Sequence, residues 1–154
     1  MKMTEELKKA QANMLPGVLT AEGFFGHDQR SLADLIQHDE ELMQKEKLDW
    51  SLVAQKLKEL LVLAEDKQGE PVLVGNKVRV RSTDETRGTL PSPWEDGIFH
   101  KMNVEVEFLE NGQPTGTTLL YNELCVHMLE KHHFLQGQGS LFRLEPSILA
   151  KLLS

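Results

Sequence analysis

The chain of 154 residues has one cysteine, Cys125. A lone cysteine excludes an intrachain disulfide and a thiolate metal cluster within one chain. Positive charge is scarce as well: 17 Lys and Arg stand against 24 Asp and Glu, a net charge of −7. Residues 1–70 carry nine basic and fourteen acidic side chains, net −5, and residues 71–154 carry eight and ten, net −2. No block is basic, so the electrostatic footprint for nucleic acid is missing, and so is a polybasic patch for a membrane surface. Long apolar runs are also absent. None has bilayer-spanning length, and "MKMTEELKKAQANM" holds no signal-peptide core. The expectation is a cytoplasmic protein in a reducing compartment, with no nucleic-acid and no membrane partner. Repeats and low-complexity tracts are lacking. So are the Gly-x-Ser-x-Gly elbow, the dinucleotide fingerprint, the P-loop and the kinase motifs. The sequence therefore names no reaction and no cofactor.

What is there is a folding composition, 40% hydrophobic and 27% charged. It suits one domain over residues 1–154 with a single core. The first part, 1–70, reads as mainly helical. A short polar helix over 4–13 ends at Pro16–Gly17. Asp28 or Ser31 can cap a helix over about 29–46, whose apolar stripe is Leu32, Leu35, Ile36, Leu42 and Met43. Asp49 is the N-cap of the next helix, with Leu48 and Val53 as a hydrophobic staple and Gly69 as its stop. Trp50, Val53, Leu57, Leu60, Leu61 and Ala64 form its buried face.

The period then changes to two. "PVLVGNKVRVR" predicts a hairpin turning at Gly75–Asn76. Val78 and Val80 face one way, Arg79 and Arg81 the other. "NVEVEF" alternates likewise, so its glutamates can meet the arginines on the wet face of neighbouring strands. "ENGQPTG" reads as a turn and "TTLLY" as a fourth strand. Asn122 caps a helix over about 123–133, and "SILAKLL" is a terminal helical turn. The fold class expected is α+β, a small antiparallel sheet of about four strands packed on one side by helices.

Candidate chemistry begins with "NELCVHMLEKHHF". Glu123, His127 and Glu130 fall within about 60° of one another on a helix. A wet face with this spacing is ordinarily a solvated one, and His132 and His133 do not join His127 on it. No metal site is expected there. His132 falls near the middle of the apolar side, where its charged form gains from the helix C-terminus. Cys125 lies on the same side and reads as a small, inert hydrophobe. Asp39 projects into the apolar stripe of the 29–46 helix. An unpaired carboxylate is costly there, so Arg87, Arg143 or His132 should pair with it.

Three irregular stretches remain: "GFFGHDQR", "RGTLPSPWEDG" and "QGQGSLFRLEP". Each combines breakers, an aromatic, an arginine and a carboxylate. Ordered loops of this length are often functional, and arginine forks suit anionic ligands. If the three loops converge, Arg87, Trp94, Asp96, Arg143, Asp39 and His132 are the expected ligand-binding residues, and a small anionic or polar molecule is the expected ligand. The alternative within the same residues is internal: Arg87 and Arg143 tie the loops through Asp39, Asp96 or Glu145, and Trp94 and Phe142 complete the core. A winged-helix reading of the tandem helices fails on the acidic balance.

The segments "LPGVLTAEGFFG", "RGTLPSPWEDGIFHK" and "HHFLQGQGSLFRLEP" resemble those of a family of small bacterial conserved hypothetical proteins. The resemblance spans most of the chain. It implies a self-contained cytosolic protein and supplies no activity, cofactor or functional residue. The functional expectation is a domain that binds a small ligand or a protein partner through an ordered-loop pocket. The other reading is a small enzyme using Asp39, His132 and an arginine. A homodimer would cover exposed sheet edges.

Overall fold

The computed structural model describes residues 2–83 and 88–154. Among them the chain runs α1 (Glu5–Asn13), α2 (Leu32–Lys45), α3 (Trp50–Asp66), β1 (Val72–Val74), β2 (Val78–Ser82), β3 (Thr89–Pro91), β4 (Ile98–His100), β5 (Val104–Glu110), β6 (Gln113–Tyr121), α4 (Glu123–His132) and α5 (Pro146–Leu153). The class is α+β. No helix of the described residues is long and apolar enough to cross a membrane.

Side-chain caps set the helix starts. Thr4, Ser31, Asp49 and Asn122 each accept a hydrogen bond from a first-turn amide, satisfying donors that the helix itself cannot. Ser31, not Asp28, caps α2. Asp28 is drawn off to Arg30, as described below. Leu42, expected in the stripe of α2, is only half-buried, whereas Leu32, Leu35, Ile36 and Met43 are buried.

The main sheet is antiparallel in the order β1-β2-β5-β6. Gly75 and Asn76 turn the first hairpin with φ of 58° and 57°, as a primed turn requires. Arg79 lies opposite Glu107 and Arg81 opposite Glu105. Both pairs form ion pairs, that of Arg81 at 3.3 Å. Val78, Val80, Val104, Val106 and Phe108 fill the other face.

Two expectations are corrected. "ENGQPTG" is not all turn: the chain reverses at Asn111–Gly112, and β6 already begins at Gln113. Pro114 is tolerated because β6 is an edge strand, where a missing N–H leaves no partner unpaired. The stretch from Thr89 is not wholly irregular either. β3 and β4 pair Thr89 with His100 and Pro91 with Ile98, as a separate two-stranded ribbon closed by residues 92–97. Three-residue strands carrying a proline show no readable alternation.

The interior divides into two apolar clusters. One lies between the main sheet, α3, α4 and α5, around Leu57, Val80, Val106, Tyr121, Leu129 and Leu149. The other joins α1, α2 and the loops, around Met14, Phe24, Leu35 and Phe134. Helix α4 serves both: Cys125, Val126 and Leu129 enter the first, Leu124 and Met128 the second. His127 and His132 therefore project from a helix gripped on two sides. Its C-terminus is closed by His133 at φ 56°, whose N–H donates to the Leu129 carbonyl.

Candidate functional site

Asp39 is fully buried, and Arg143 is its partner. The guanidinium forks onto it, Nη1 donating to Oδ2 and Nη2 to Oδ1, each at 2.8 Å. Nη1 also donates to the Gln136 carbonyl and Nε to Glu145, both at 2.9 Å. Four of the five N–H donors that a guanidinium has are thus engaged. Burial alone would disfavour the charge on Arg143, but Asp39 and Glu145 outweigh it and raise its pKa above the ordinary arginine value. This is a dry tie between α2 and the closing loop. His132, another candidate partner of Asp39, bonds elsewhere. Arg87 lies outside the described residues.

The loops 23–30 and 136–146 do meet. His27 N–H donates to the Gln138 carbonyl at 2.9 Å, and Gly137 N–H to the Phe24 carbonyl at 3.0 Å. The approach is close enough to need glycine: a Cβ on Gly137 would stand 2.2 Å from the Phe25 carbonyl oxygen, and one on Gly26 2.4 Å from that of Gln138. Asp28 clasps the junction, accepting from Arg30 and from the Gln138 N–H at 3.1 Å. The Arg30 hydrogen bond outweighs burial and holds the Asp28 carboxyl well below its usual range. The ribbon joins the same cluster through Trp94, whose ring lies edge-on to Phe134 at 5.9 Å, and through the Pro93 carbonyl, which accepts from Asn13 at 2.8 Å.

A second carboxylate gathers two histidines. Asp96, in the turn of the ribbon, presents Oδ2 to His132 Nε2 at 2.6 Å and to His127 Nε2 at 3.0 Å. Trp94 stacks on His132 at 4.0 Å and Phe99 on His127 at 4.4 Å. Burial disfavours the Asp96 charge, but hydrogen bonds from Ser92, His132 and His127 outweigh it and hold the carboxyl well below its usual range. Of the expected ligand-binding residues, Trp94, Asp96 and His132 are thus brought together, and Asp39 with Arg143 separately. No hydrogen bond, ion pair or ring contact joins the two groups among the described residues. Among the described residues, the triad of Asp39, His132 and an arginine is therefore not one constellation.

The Glu123, His127 and Glu130 face is corrected too. Glu123 pairs with His100 at 3.0 Å, and Glu130 with Lys58 at 2.9 Å. His127 is not a wet side chain: Asp96 and Phe99 cover it, leaving 16% of it exposed. Nor is His132 a core residue, since it lies half-buried under Trp94. Helical phase missed both because the covering group comes from the ribbon, about thirty residues upstream. The legible signal was the clustering of "PWED" in one turn with two histidines on one helix.

A cavity of about 800 Å³ opens where the two joined loops meet the start of α4. Leu19, Phe24, Leu90 and Leu124 supply apolar wall, and Lys101, Asn103, Asn122, Gln136 and Ser140 supply polar groups. None of the five expected ligand-binding residues within the described part lines it. Several of its polar groups are already oriented. Asn122 caps α4 through Oδ1 and donates from Nδ2 to Asn103 at 3.3 Å. Ser140 Oγ donates to Gln136 Oε1 at 3.0 Å. Cys125 also borders the cavity, and burial pushes its thiol up to about 11, which leaves it a poor nucleophile.

The fold and these two sites define an α+β protein with a loop-walled cavity and a separate carboxylate–imidazole cluster. Comparison with family models, curated proteins and solved structures finds no match to this chain.

Proposed function

We propose that this is a cytoplasmic small-molecule binding protein, and that its ligand is a polar or anionic molecule with an apolar portion. The observation that carries the reading is the cavity of about 800 Å³ at the junction of the 23–30 and 136–146 loops. That size falls in the range of ligand sites, and its mixture of apolar wall and a few oriented polar groups is the usual composition of such sites. Lys101 supplies a positive charge at the wall, suited to an anionic head. The amides of Asn103 and Gln136 and the Ser140 hydroxyl suit a neutral polar one. The hydrogen bonds that join the two loops, His27 N–H to Gln138, Gly137 N–H to Phe24 and Gln138 N–H to Asp28, set this geometry before a ligand arrives, which lowers the entropy cost of binding.

Native mass spectrometry on protein purified without denaturant reads any molecule carried along. The added probe is 8-anilinonaphthalene-1-sulfonate, which joins apolar rings to an anion. The expected result is 1:1 binding to the folded protein, weakened about tenfold in Lys101→Ala with the Tm unchanged, as for loss of one charge-assisted hydrogen bond. Leu141 is 80% exposed at the cavity rim, so Leu141→Asp should fold normally and also weaken the probe. Binding that neither variant changes would overturn the proposal.

A further inference from the structure

The cavity leaves the Asp96–His127–His132 cluster without a task. Its geometry is more specific than a structural tie requires. Both imidazoles direct the same atom, Nε2, at the same carboxylate oxygen, at 3.0 and 2.6 Å. An Asp–His contact that only fastens the ribbon to α4 needs one such bond. Two imidazoles converging on one point with a carboxylate are instead the donor set of a transition-metal centre.

We propose that Asp96, His127 and His132 form a binding site for one divalent transition-metal ion, with zinc as the best-suited member of the class. The three ligand atoms lie within 4.8 Å of one another. Two imidazoles bound through nitrogen to a tetrahedral zinc stand with ring centroids about 5 Å apart. The rings of His127 and His132 stand 5.5 Å apart, at 75° to each other. Ligand atoms on such an ion are about 3.3 Å apart, so the Asp96 oxygen, at which both Nε2 atoms aim at 3.0 and 2.6 Å, must move aside to admit the ion between the three ligands. Asp96 sits in the turn of a two-stranded ribbon, which can make that shift locally.

The surroundings suit the role. Stacking on Trp94 and Phe99 sets the two ring planes, the orienting that a ligand shell requires of its neighbours. Each side chain keeps some exposure, 16% for His127, 17% for His132 and 36% for Asp96, so an ion can reach the site and a water can complete its shell. With Asp96 ionised, each Nε2 carries a proton and donates it to Oδ2. Coordination needs those lone pairs. Each ring therefore shifts to its Nδ1–H form, or releases a proton if it is charged. Nitrogen donors disfavour magnesium and calcium, which prefer all-oxygen shells. Three protein ligands leave one position open, the arrangement of reactive rather than purely structural zinc sites.

The test is titration of tag-free protein with Zn²⁺ against a chromophoric chelator, and with Co²⁺ followed by visible absorption. The expected result is one ion per chain and a tetrahedral cobalt spectrum. His127→Ala and His132→Ala should each weaken binding by about 100-fold or more, beyond the usual effect of losing an outer-shell partner. His38→Ala, at an exposed histidine bonded to Arg30, should leave affinity unchanged. Circular dichroism of each metal-free variant checks its folding. Should a histidine variant fail to fold, X-ray absorption of the zinc-loaded wild-type protein decides, with two imidazoles in the shell expected. No stoichiometric zinc, an octahedral cobalt spectrum, fewer than two imidazoles, or an affinity that the two folded variants do not change would each overturn the proposal.

Discussion

Asp39 and Asp96 are both held by nitrogen donors, in opposite ways. Asp39 is fully buried and gives one oxygen to each prong of a single guanidinium. Asp96 is 36% exposed and gives one oxygen to two separate imidazoles. Arginine keeps its charge at any ordinary pH and fits a carboxylate as a fork. A dry fork with four of its five N–H donors engaged inside the protein is a fastening. Imidazoles exchange protons near neutrality and bind metals. The same carboxylate chemistry thus yields a tie in one place and an adaptable site in the other, and the difference lies in partner type and access to water.

The largest expected effect lies at the tie. Arg143→Ala should destabilise the protein by about 3–5 kcal/mol, since it strands a buried charge, measured by urea unfolding. His132→Ala should cost less, about 1–2 kcal/mol for one charge-assisted hydrogen bond and a ring stack at a partly wetted site. Equal costs would erase the distinction between fastening and site.

Acid should act through different carboxylates. Asp96 and Asp28 have folded pKa values below the ordinary range, whereas unfolded aspartate titrates near about 4. Their contribution to stability is therefore complete above about pH 4 and is lost as pH falls through the folded values. Asp96→Asn should make the acid limb of a Tm-against-pH curve shallower. A limb as steep as in the wild type would mean that Asp96 is not held charged by its neighbours.

The smallest effect is expected at a third kind of carboxylate pair, on the wet face of the sheet. Arg81 and Glu105 are 3.3 Å apart with half of the arginine side chain exposed. Arg81→Ala should change stability by less than about 1 kcal/mol. A loss as large as that of Arg143→Ala would show that burial is not what separates the three pairs.

Much of the frame was legible from residues near in sequence. Asp49 and Asn122 announced the starts of α3 and α4 because a cap acts within three residues of itself. The alternation of Val78–Arg81 against Val104–Glu107 predicted which faces would be wet, and the arginine–glutamate register followed from complementary charge. Asp39 was legible as a buried carboxylate in need of a partner, because helical phase placed it in the stripe. The site was less legible. Periodicity placed His127 on a solvated face and His132 in the core, because it describes one helix and not what packs against it. The ribbon that brings Asp96 and Trp94 to α4 left no alternating pattern, its strands being three residues long with Pro91 among them.

The sequence by itself determined the α+β class, the main helix starts, the hairpin at Gly75–Asn76 and the need for a partner at Asp39. These depend on local backbone preference and on one apolar face per element, which neighbouring residues encode. Only the tertiary structure decided that Arg143 is that partner, that loops 23–30 and 136–146 enclose a cavity, and that His127 and His132 meet at Asp96. Those outcomes join segments up to about a hundred residues apart. They follow from the packing of α4 between two apolar clusters, and local pattern carries no record of distance across a fold.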